Sequence, residues 1–245
     1  MESSVKVLNL GKSYNIDKNN FLPQFRKKDQ NILQDKKAVA ALSNVSFEIF
    51  KGDRLGVLGK NGAGKSTLLK IISKVTTPTL GQVETNGVVS SVLEFGAGFH
   101  QDLTGLENIY LSGAILGMSR KEINGKIRDI IEFSELKNFI NTRVSKYSSG
   151  MIIKLGFAIS AFLSSDIIIL DEVLSVADEN FRIKCINKIL NDINIDGRTL
   201  IFVSHQIDNI IKLCNKVLVL NNGTVSFFGT TKSGVDFYNK SIVKC

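Results

Sequence analysis

An α/β fold, with a mostly parallel and doubly wound sheet, is predicted by three observations. Arg54–Leu58 is a short apolar run that enters a glycine-rich turn and then an apolar-periodic segment, Lys65–Ser73. Three further apolar runs, Ile167–Leu170, Thr199–Val203 and Val217–Leu220, are separated by stretches of helical periodicity. A long helical segment falls between Gly96 and Ser149. Strand, glycine loop and helix in succession open an α/β unit. Continuous apolar runs suit strands covered on both faces.

The elements follow in order. Val5, Val7 and Leu8 open with a short strand-like run. Asn15 to Lys37 then turns polar, rich in Lys, Asn and Gln, with scattered bulky apolar residues. Val45, Phe47 and Ile49 alternate with polar residues, the pattern of a half-exposed strand. Thr76–Pro78 and Thr85–Gly87 read as turns. Leu103 to about Phe162 is mostly helical, with breaks expected at Gly117 and at Ser148–Gly150. Asn221-Asn222-Gly223 links Val217–Leu220 to Thr224–Phe228 as a hairpin. There is no internal repeat.

Composition narrows the class. At 245 residues, with 43% hydrophobic and 22% charged residues, the chain can bury a sizeable core. Two prolines exclude collagen-like and Pro-rich disordered readings. A net charge of +8 suits an acidic partner such as nucleic acid, an anionic lipid surface or a nucleotide, without choosing among them. Cys185, Cys214 and Cys245 lie far apart, and two histidines cannot complete a Cys/His zinc site, so reduced thiols are expected. No signal peptide is expected from the N-terminus, and Leu155–Leu170, broken by Asp166, is too short to span a bilayer. A membrane role would therefore run through a partner.

Gly59-Lys60-Asn61-Gly62-Ala63-Gly64-Lys65-Ser66 fits G-x-x-x-x-G-K-[ST] at every position. Glycines let the backbone curl so that its N–H groups point at phosphate oxygens. The helix that follows, through Thr67, adds its positive dipole end. Lys65 is expected to reach the β- and γ-phosphates, and the Ser66 hydroxyl to ligate Mg²⁺. A guanine reader would want Asn-Lys-x-Asp. The pairs at Asn187, Asn215 and Asn239 carry Leu190, Leu218 and Ile242 instead of the Asp, so ATP is the better reading. Behind the apolar run Ile167–Leu170 stand Asp171 and Glu172. A lone Asp-Glu is more often a solvated strand end. After four apolar residues, in a chain with a phosphate loop, Asp171 is expected to hold Mg²⁺ and Glu172 to polarise the attacking water.

Tyr147-Ser148-Ser149-Gly150-Met151 opens the helical segment before Asp171. Alone it is an ordinary N-cap. In register between the two phosphate motifs it resembles the signature of ATP-binding-cassette ATPases. Ser204-His205 resembles that family's switch histidine, Ser175–Asp178 its D-loop, and Tyr14 the aromatic that stacks on adenine. The resemblance implies a RecA-like P-loop ATPase core, with an antiparallel β part near the N-terminus, formed by 1–95 and 160–245. It implies a helical subdomain over 96–159. Catalysis is expected from Glu172, His205 and Lys65, and ATP binding from Tyr14, Gly59–Thr67, Ser148 and Gly150.

Leu93–His100, Leu103–Tyr110 and Asp171–Asp178 narrow the resemblance to the polysaccharide-export branch. That branch exports capsule, O-antigen or teichoic acid, lipid-linked, across the bacterial cytoplasmic membrane. The resemblance implies a peripheral subunit on the cytoplasmic face, an integral-membrane permease partner and a second copy of the chain sandwiching ATP. It implies no nucleic-acid partner. Some members add a C-terminal carbohydrate-binding domain; ending at Cys245, this chain is expected to lack one. The usual glutamine of the segment facing the membrane subunit is replaced at about Glu94–Phe95. The 15–37 insertion sets Phe21, Leu22, Phe25, Ile32 and Leu33 among six basic residues and is open to two readings, a membrane-surface element or a solvated loop. The resemblance favours the first. A soluble cassette ATPase acting on nucleic acid or ribosomes would typically carry long coiled coils or two cassettes, and this chain has neither sustained heptads nor a second phosphate loop. The ATPase of a different transporter would lack the Phe95–Phe99 segment and the basic insertion.

Overall fold

The computed structural model describes residues 2–16, 37–91, 99–162, 165–170, 178–204 and 206–243. Two sheets form its frame. The six-stranded central sheet has the order β5 (Val89–Ser91), β6 (Ile167–Leu170), β7 (Thr199–Val203), β3 (Arg54–Leu58), β8 (Lys216–Asn221), β9 (Thr224–Thr230). All its pairings are parallel except the β8–β9 hairpin. The second sheet is antiparallel, with β1 (Ser3–Ile16) between β2 (Lys37–Phe50) and β4 (Leu80–Thr85). Seven α-helices are described: α1 (Lys65–Ile72), α2 (Gly105–Ile115), α3 (Arg120–Ser134), α4 (Ser149–Phe162), α5 (Glu179–Asp196), α6 (Ile207–Leu213) and α7 (Thr231–Tyr238).

The apolar runs of the central strands serve two cores, one per face. Leu55, Val57, Ile167, Ile169, Ile201, Val203, Leu218 and Leu220 face one way. There they meet Leu68, Leu69, Ile71 and Ile72 of α1 and the inward residues of β1 and β2. Leu58, Ile168, Leu170, Leu200, Phe202, Val217 and Val219 face the other way, onto α2 to α7. Side chains alternate across a strand, so a strand covered on both faces is apolar along both. On the helical side, Phe133 of α3 stacks on Phe157 of α4 at 5.9 Å and meets Phe162 and Phe181 edge-on at 5.4 and 5.7 Å. That aromatic knot joins α3, α4 and α5.

The helices start where polar side chains satisfy their free N–H groups. Thr104 and Glu107 form a capping box on α2, and Ser119 and Glu122 form one on α3. The Thr104 hydrogen bonds hold the Glu107 carboxyl below its ordinary range, and those of Ser119 do the same for Glu122. Cys185 and Cys214 are buried thiols. Burial pushes both up, Cys214 to about 12, which leaves them unreactive at neutral pH.

The sequence reading needs four corrections. β1 runs on to Ile16, so Tyr14 lies inside it rather than after it. β4 and β5 carry no clear apolar pattern and were not expected. Gly150 lies in the first turn of α4 rather than in a break. The break expected only at Ser148–Gly150 begins at Glu135, the C-cap of α3, and runs through a short 3₁₀ turn at Val144–Lys146. Its cause is a ladder of backbone hydrogen bonds. Gly105, Val144 and Ser145 donate to Thr142, Leu103 and Gln101, at 3.2, 2.9 and 3.0 Å, which draws 140–146 alongside 101–106.

Candidate active site

The glycine loop after β3 is shaped by packing as much as by backbone freedom. A Cβ on Gly59 would meet the Leu220 carbonyl of β8 at 2.5 Å. Gly62 and Gly64 have φ of 81° and 100°, the left-handed region that costs glycine nothing. Gly62 faces open space, whereas Gly64 lies against the Ala41 carbonyl and the Leu42 side chain. The Ala63 N–H donates to the Lys60 carbonyl at 3.1 Å, and the Leu68 N–H donates to Gly64 at 2.9 Å to begin α1. Gly64 is the N-cap and offers no side-chain hydrogen bond. The first N–H groups of α1 are therefore not capped by their own N-cap residue, and the loop presents donors and a helix dipole to an anion.

Lys65 is the buried cation of this loop. It is 8% exposed, and its ammonium donates to the Gly59 and Lys60 carbonyls at 2.6 and 3.0 Å. Ser66 is exposed, Thr67 half-buried, Ala63 buried, and Lys60 and Asn61 exposed. The hairpin turn braces the loop from behind. Gly223 donates its N–H to the Ala63 carbonyl at 3.1 Å and accepts from Ser43 of β2 at 2.8 Å. In the sequence Gly223 signals a hairpin; that it also supports the phosphate loop had no sequence signal. Tyr14 is 41% exposed, pairs with Val39 of β2 and carries the Lys12 ammonium 5.1 Å from its ring. It sits two β2 residues from Ala41, the neighbour of Gly64.

The parallel strands deliver their ends to one edge. Val57 is level with Val203, and Leu170 with Phe202, so β3, β6 and β7 finish together. Ser204, buried just past β7, accepts the Gln206 N–H at 3.0 Å. Asp171 and Glu172, which follow β6, lie outside the described residues, as do His205, Glu94–Gly98, Ser175–Ala177 and most of the 15–37 insertion.

The Tyr147–Met151 segment opens α4. The Ser148 hydroxyl accepts the Met151 N–H at 3.3 Å, and Ser148 and Ser149 are exposed while Tyr147 is buried. Two residues that hold this region were missed in the sequence. Asn108, fully buried in α2, accepts the His100 N–H at 2.9 Å. Its amide donates to the carbonyls of His100 and Thr104 at 3.1 and 2.9 Å. Lys154 of α4 pairs with Glu135 at 2.7 Å and with Asp178 at 2.8 Å. The Lys154 ammonium holds both carboxyls below their ordinary range. Burial opposes the charge on Lys154, but the hydrogen bonds it donates to Asp178 and Glu135 outweigh it and raise the ammonium. Signals such as these need partners far apart in the chain.

The arrangement packs α1 on one face of the central sheet and α4 on the other.

Comparison with known proteins follows the same lines. Residues 42–175 match the family model described as ABC transporter. The O-antigen export system ATP-binding protein RfbB of Klebsiella pneumoniae is 42% identical over 202 residues, 82% of this chain and 82% of that one. The teichoic acids export ATP-binding protein TagH of Enterococcus faecalis is 46% identical over 192 residues, 78% of this chain but 42% of the longer relative. Among solved structures, a dimeric post-hydrolysis state of the ATP-binding cassette MJ0796 bound to ADP and Pi overlays with a TM-score of 0.75 at 23% identity, covering 93% of this chain and 98% of that one. At that identity the likeness concerns the fold.

Proposed function

We infer the function from one premise: the chain belongs to the ABC transporter family, as an ATP-binding, ATP-hydrolysing member. Within that family we propose that it is the ATPase subunit of an exporter of lipid-linked polysaccharide (O-antigen, capsule or teichoic acid) at the bacterial cytoplasmic membrane. The observation that carries this reading is the match over most of the chain to relatives named for O-antigen and teichoic acid export. No helix among the described residues is long and apolar enough to cross a membrane. A peripheral subunit on the cytoplasmic face, bound to an integral-membrane permease, fits that finding.

The loop suits the triphosphate of ATP. Its α1 N-terminus has no side-chain cap, its glycines hold the backbone open, and Lys65 stands at hand as a cation. Ser66, with Asp171, would hold Mg²⁺, which supplies charge neutralisation for the phosphate oxygens. Lys65 would exchange its carbonyl partners for phosphate oxygens. Glu172 would accept a proton from the attacking water, and His205 would steady the reacting phosphate from the end of β7. Tyr14 would stack on the adenine. These roles, and the division into a core with its insertion and a helical subdomain over 96–159, are proposals. Because α1 and α4 lie on opposite sheet faces, Ser148 and Gly150 would serve the nucleotide of a second copy. ATP then joins two subunits, and hydrolysis lets them part.

The test is co-purification of the full chain with its membrane subunit into liposomes, followed by ATPase assay with and without lipid-linked glycan. Stimulation by the glycan is expected. Salt-sensitive stimulation by nucleic acid instead would move the chain to a soluble cassette function.

A further inference from the structure

The Lys12 ammonium lies over the Tyr14 ring, 5.1 Å from its centre, and donates to the Thr77 carbonyl at 2.8 Å. Thr77 belongs to the turn between α1 and β4. Two further hydrogen bonds lace that turn to β1. The Thr79 N–H donates to the Gly11 carbonyl at 2.8 Å, and the Ser13 N–H donates to the Thr79 hydroxyl at 3.1 Å. The ladder between β1 and β2 shifts register on both sides of Lys12. Such irregularities re-aim side chains. Here one lysine reaches both the aromatic of its own strand and the turn that follows α1.

The two sides of β1 are used differently. β1 lies between β2 and β4. Lys12 is tethered on the β4 side, where Thr77 and Thr79 stand. The phosphate loop approaches on the β2 side, where a Cβ on Gly64 would meet the Ala41 carbonyl at 2.6 Å. Ala41 is two residues, roughly 7 Å, along β2 from Val39, the ladder partner of Tyr14. Lys12 is half-buried, whereas Tyr14 is exposed. The ring therefore has a cation over it from the β4 side and open surface beside the loop.

Resting on the adenine-stacking role given above to Tyr14, we propose that Lys12 is a positioning residue for the base: it fixes the Tyr14 ring against the turn after α1 and prepares the opposite ring face to stack on adenine. Two effects act together. An exposed tyrosine loses rotamer freedom when a base lands on it, and a ring already held by a tethered cation loses less. The faces of an aromatic ring carry negative charge, which disfavours contact with another π system. A cation over one face draws that charge toward itself and makes the other face a better partner for the base. Tyr14 and Thr77 stand outside the phosphate loop, so the grip of that loop on phosphates does not depend on Lys12.

The experiment is calorimetric titration of the full chain with ATP and, separately, with inorganic triphosphate, which has the phosphates and no base. Wild type is compared with Lys12→Met, Lys12→Arg, Tyr14→Ala and the Lys12→Met/Tyr14→Ala double variant. Lys12→Met is expected to weaken ATP binding about threefold, the scale of an exposed cation–π contact, and to leave triphosphate binding unchanged. Lys12→Arg should restore ATP affinity, because a guanidinium also stacks on an aromatic face. In the Tyr14→Ala background, Lys12→Met should weaken ATP binding no further, since the two residues act as one unit. Equal weakening of ATP and triphosphate would reduce Lys12 to a general positive charge and overturn the proposal. Unchanged or tighter ATP binding in Lys12→Met would overturn it too, the tighter result meaning that the lysine occupies the face the base needs. Additive losses in the double variant, or failure of Lys12→Arg to restore affinity, would do the same. If Lys12→Met does not fold, Lys12→Gln, which can still donate to Thr77 and lacks the charge, decides by the same criteria. ATP affinity that survives Tyr14→Ala would defeat the underlying assignment of Tyr14, whereas a loss in Tyr14→Ala with none in Lys12→Met defeats the role of Lys12 alone.

Discussion

The hydroxyl of Tyr147 occupies the space where a Cβ on Gly105 would stand, and from there it donates to the Phe139 carbonyl at 2.7 Å. The contact closes the ladder between 101–106 and 140–146 next to Ser148. Gly105→Ala should therefore force the ring aside and destabilise the chain. Tyr147→Phe should cost about 1 kcal/mol, roughly 2–4 °C in Tm for a chain of this size. The double variant should be more stable than Gly105→Ala alone, since Phe removes the oxygen that the new Cβ meets. Thermal melts of the three variants check this, and strictly additive losses would show that the two residues do not compete for that space.

Gly62 and Gly64 share a left-handed backbone but not their surroundings. Gly62→Ala carries only the backbone penalty, about 1–2 kcal/mol, because nothing lies within 4 Å of the new Cβ. Gly64→Ala adds a clash with the Ala41 carbonyl at 2.6 Å. Titration with a fluorescent ATP analogue should show weakened binding for Gly62→Ala and loss of binding for Gly64→Ala. Equal effects would mean that backbone strain alone sets the loop.

Glu172→Gln should keep ATP binding and lose on the order of 10²–10⁴ in turnover, because the amide cannot take a proton from water. With ATP present it should accumulate as a dimer on size exclusion. Hydrolysis near the wild-type rate would remove Glu172 from its role.

The capping-box carboxylates make the helical region acid-sensitive. Glu107 and Glu122 are held below an ordinary value of 4.5, so folding favours their charged forms. Their contribution is complete above that value and is lost as pH falls through the lowered one. Melting temperature should therefore decline as pH falls below 4.5, and Glu107→Gln/Glu122→Gln should flatten that decline. An unchanged slope in the double variant would place the acid sensitivity elsewhere, for example at Glu135 and Asp178, which Lys154 also holds low.

The amino-acid sequence by itself determined the central strands and the phosphate loop. Arg54–Leu58, Ile167–Leu170 and Thr199–Val203 match their strands end to end, because a strand buried on both faces leaves an unbroken apolar run. Gly59–Ser66 is equally legible as a motif, although its shape also rests on distant contacts with Ala41, Leu220 and Gly223. Tertiary structure alone decided the rest. β4 is mostly exposed and has weak alternation; it is a strand because the free edge of β1 pairs with it. The ladder after Glu135 exists because 101–106 supplies its partners, and Asn108 is buried because the His100–Thr104 backbone satisfies its amide. Gly223 supports Ala63, and Lys154 joins Glu135 to Asp178, across separations that no local pattern encodes. The difference is physical. Periodicity and glycine placement report what each segment buries and how it turns, whereas hydrogen bonds and ion pairs between distant segments exist only once the packed sheet faces have brought their partners together.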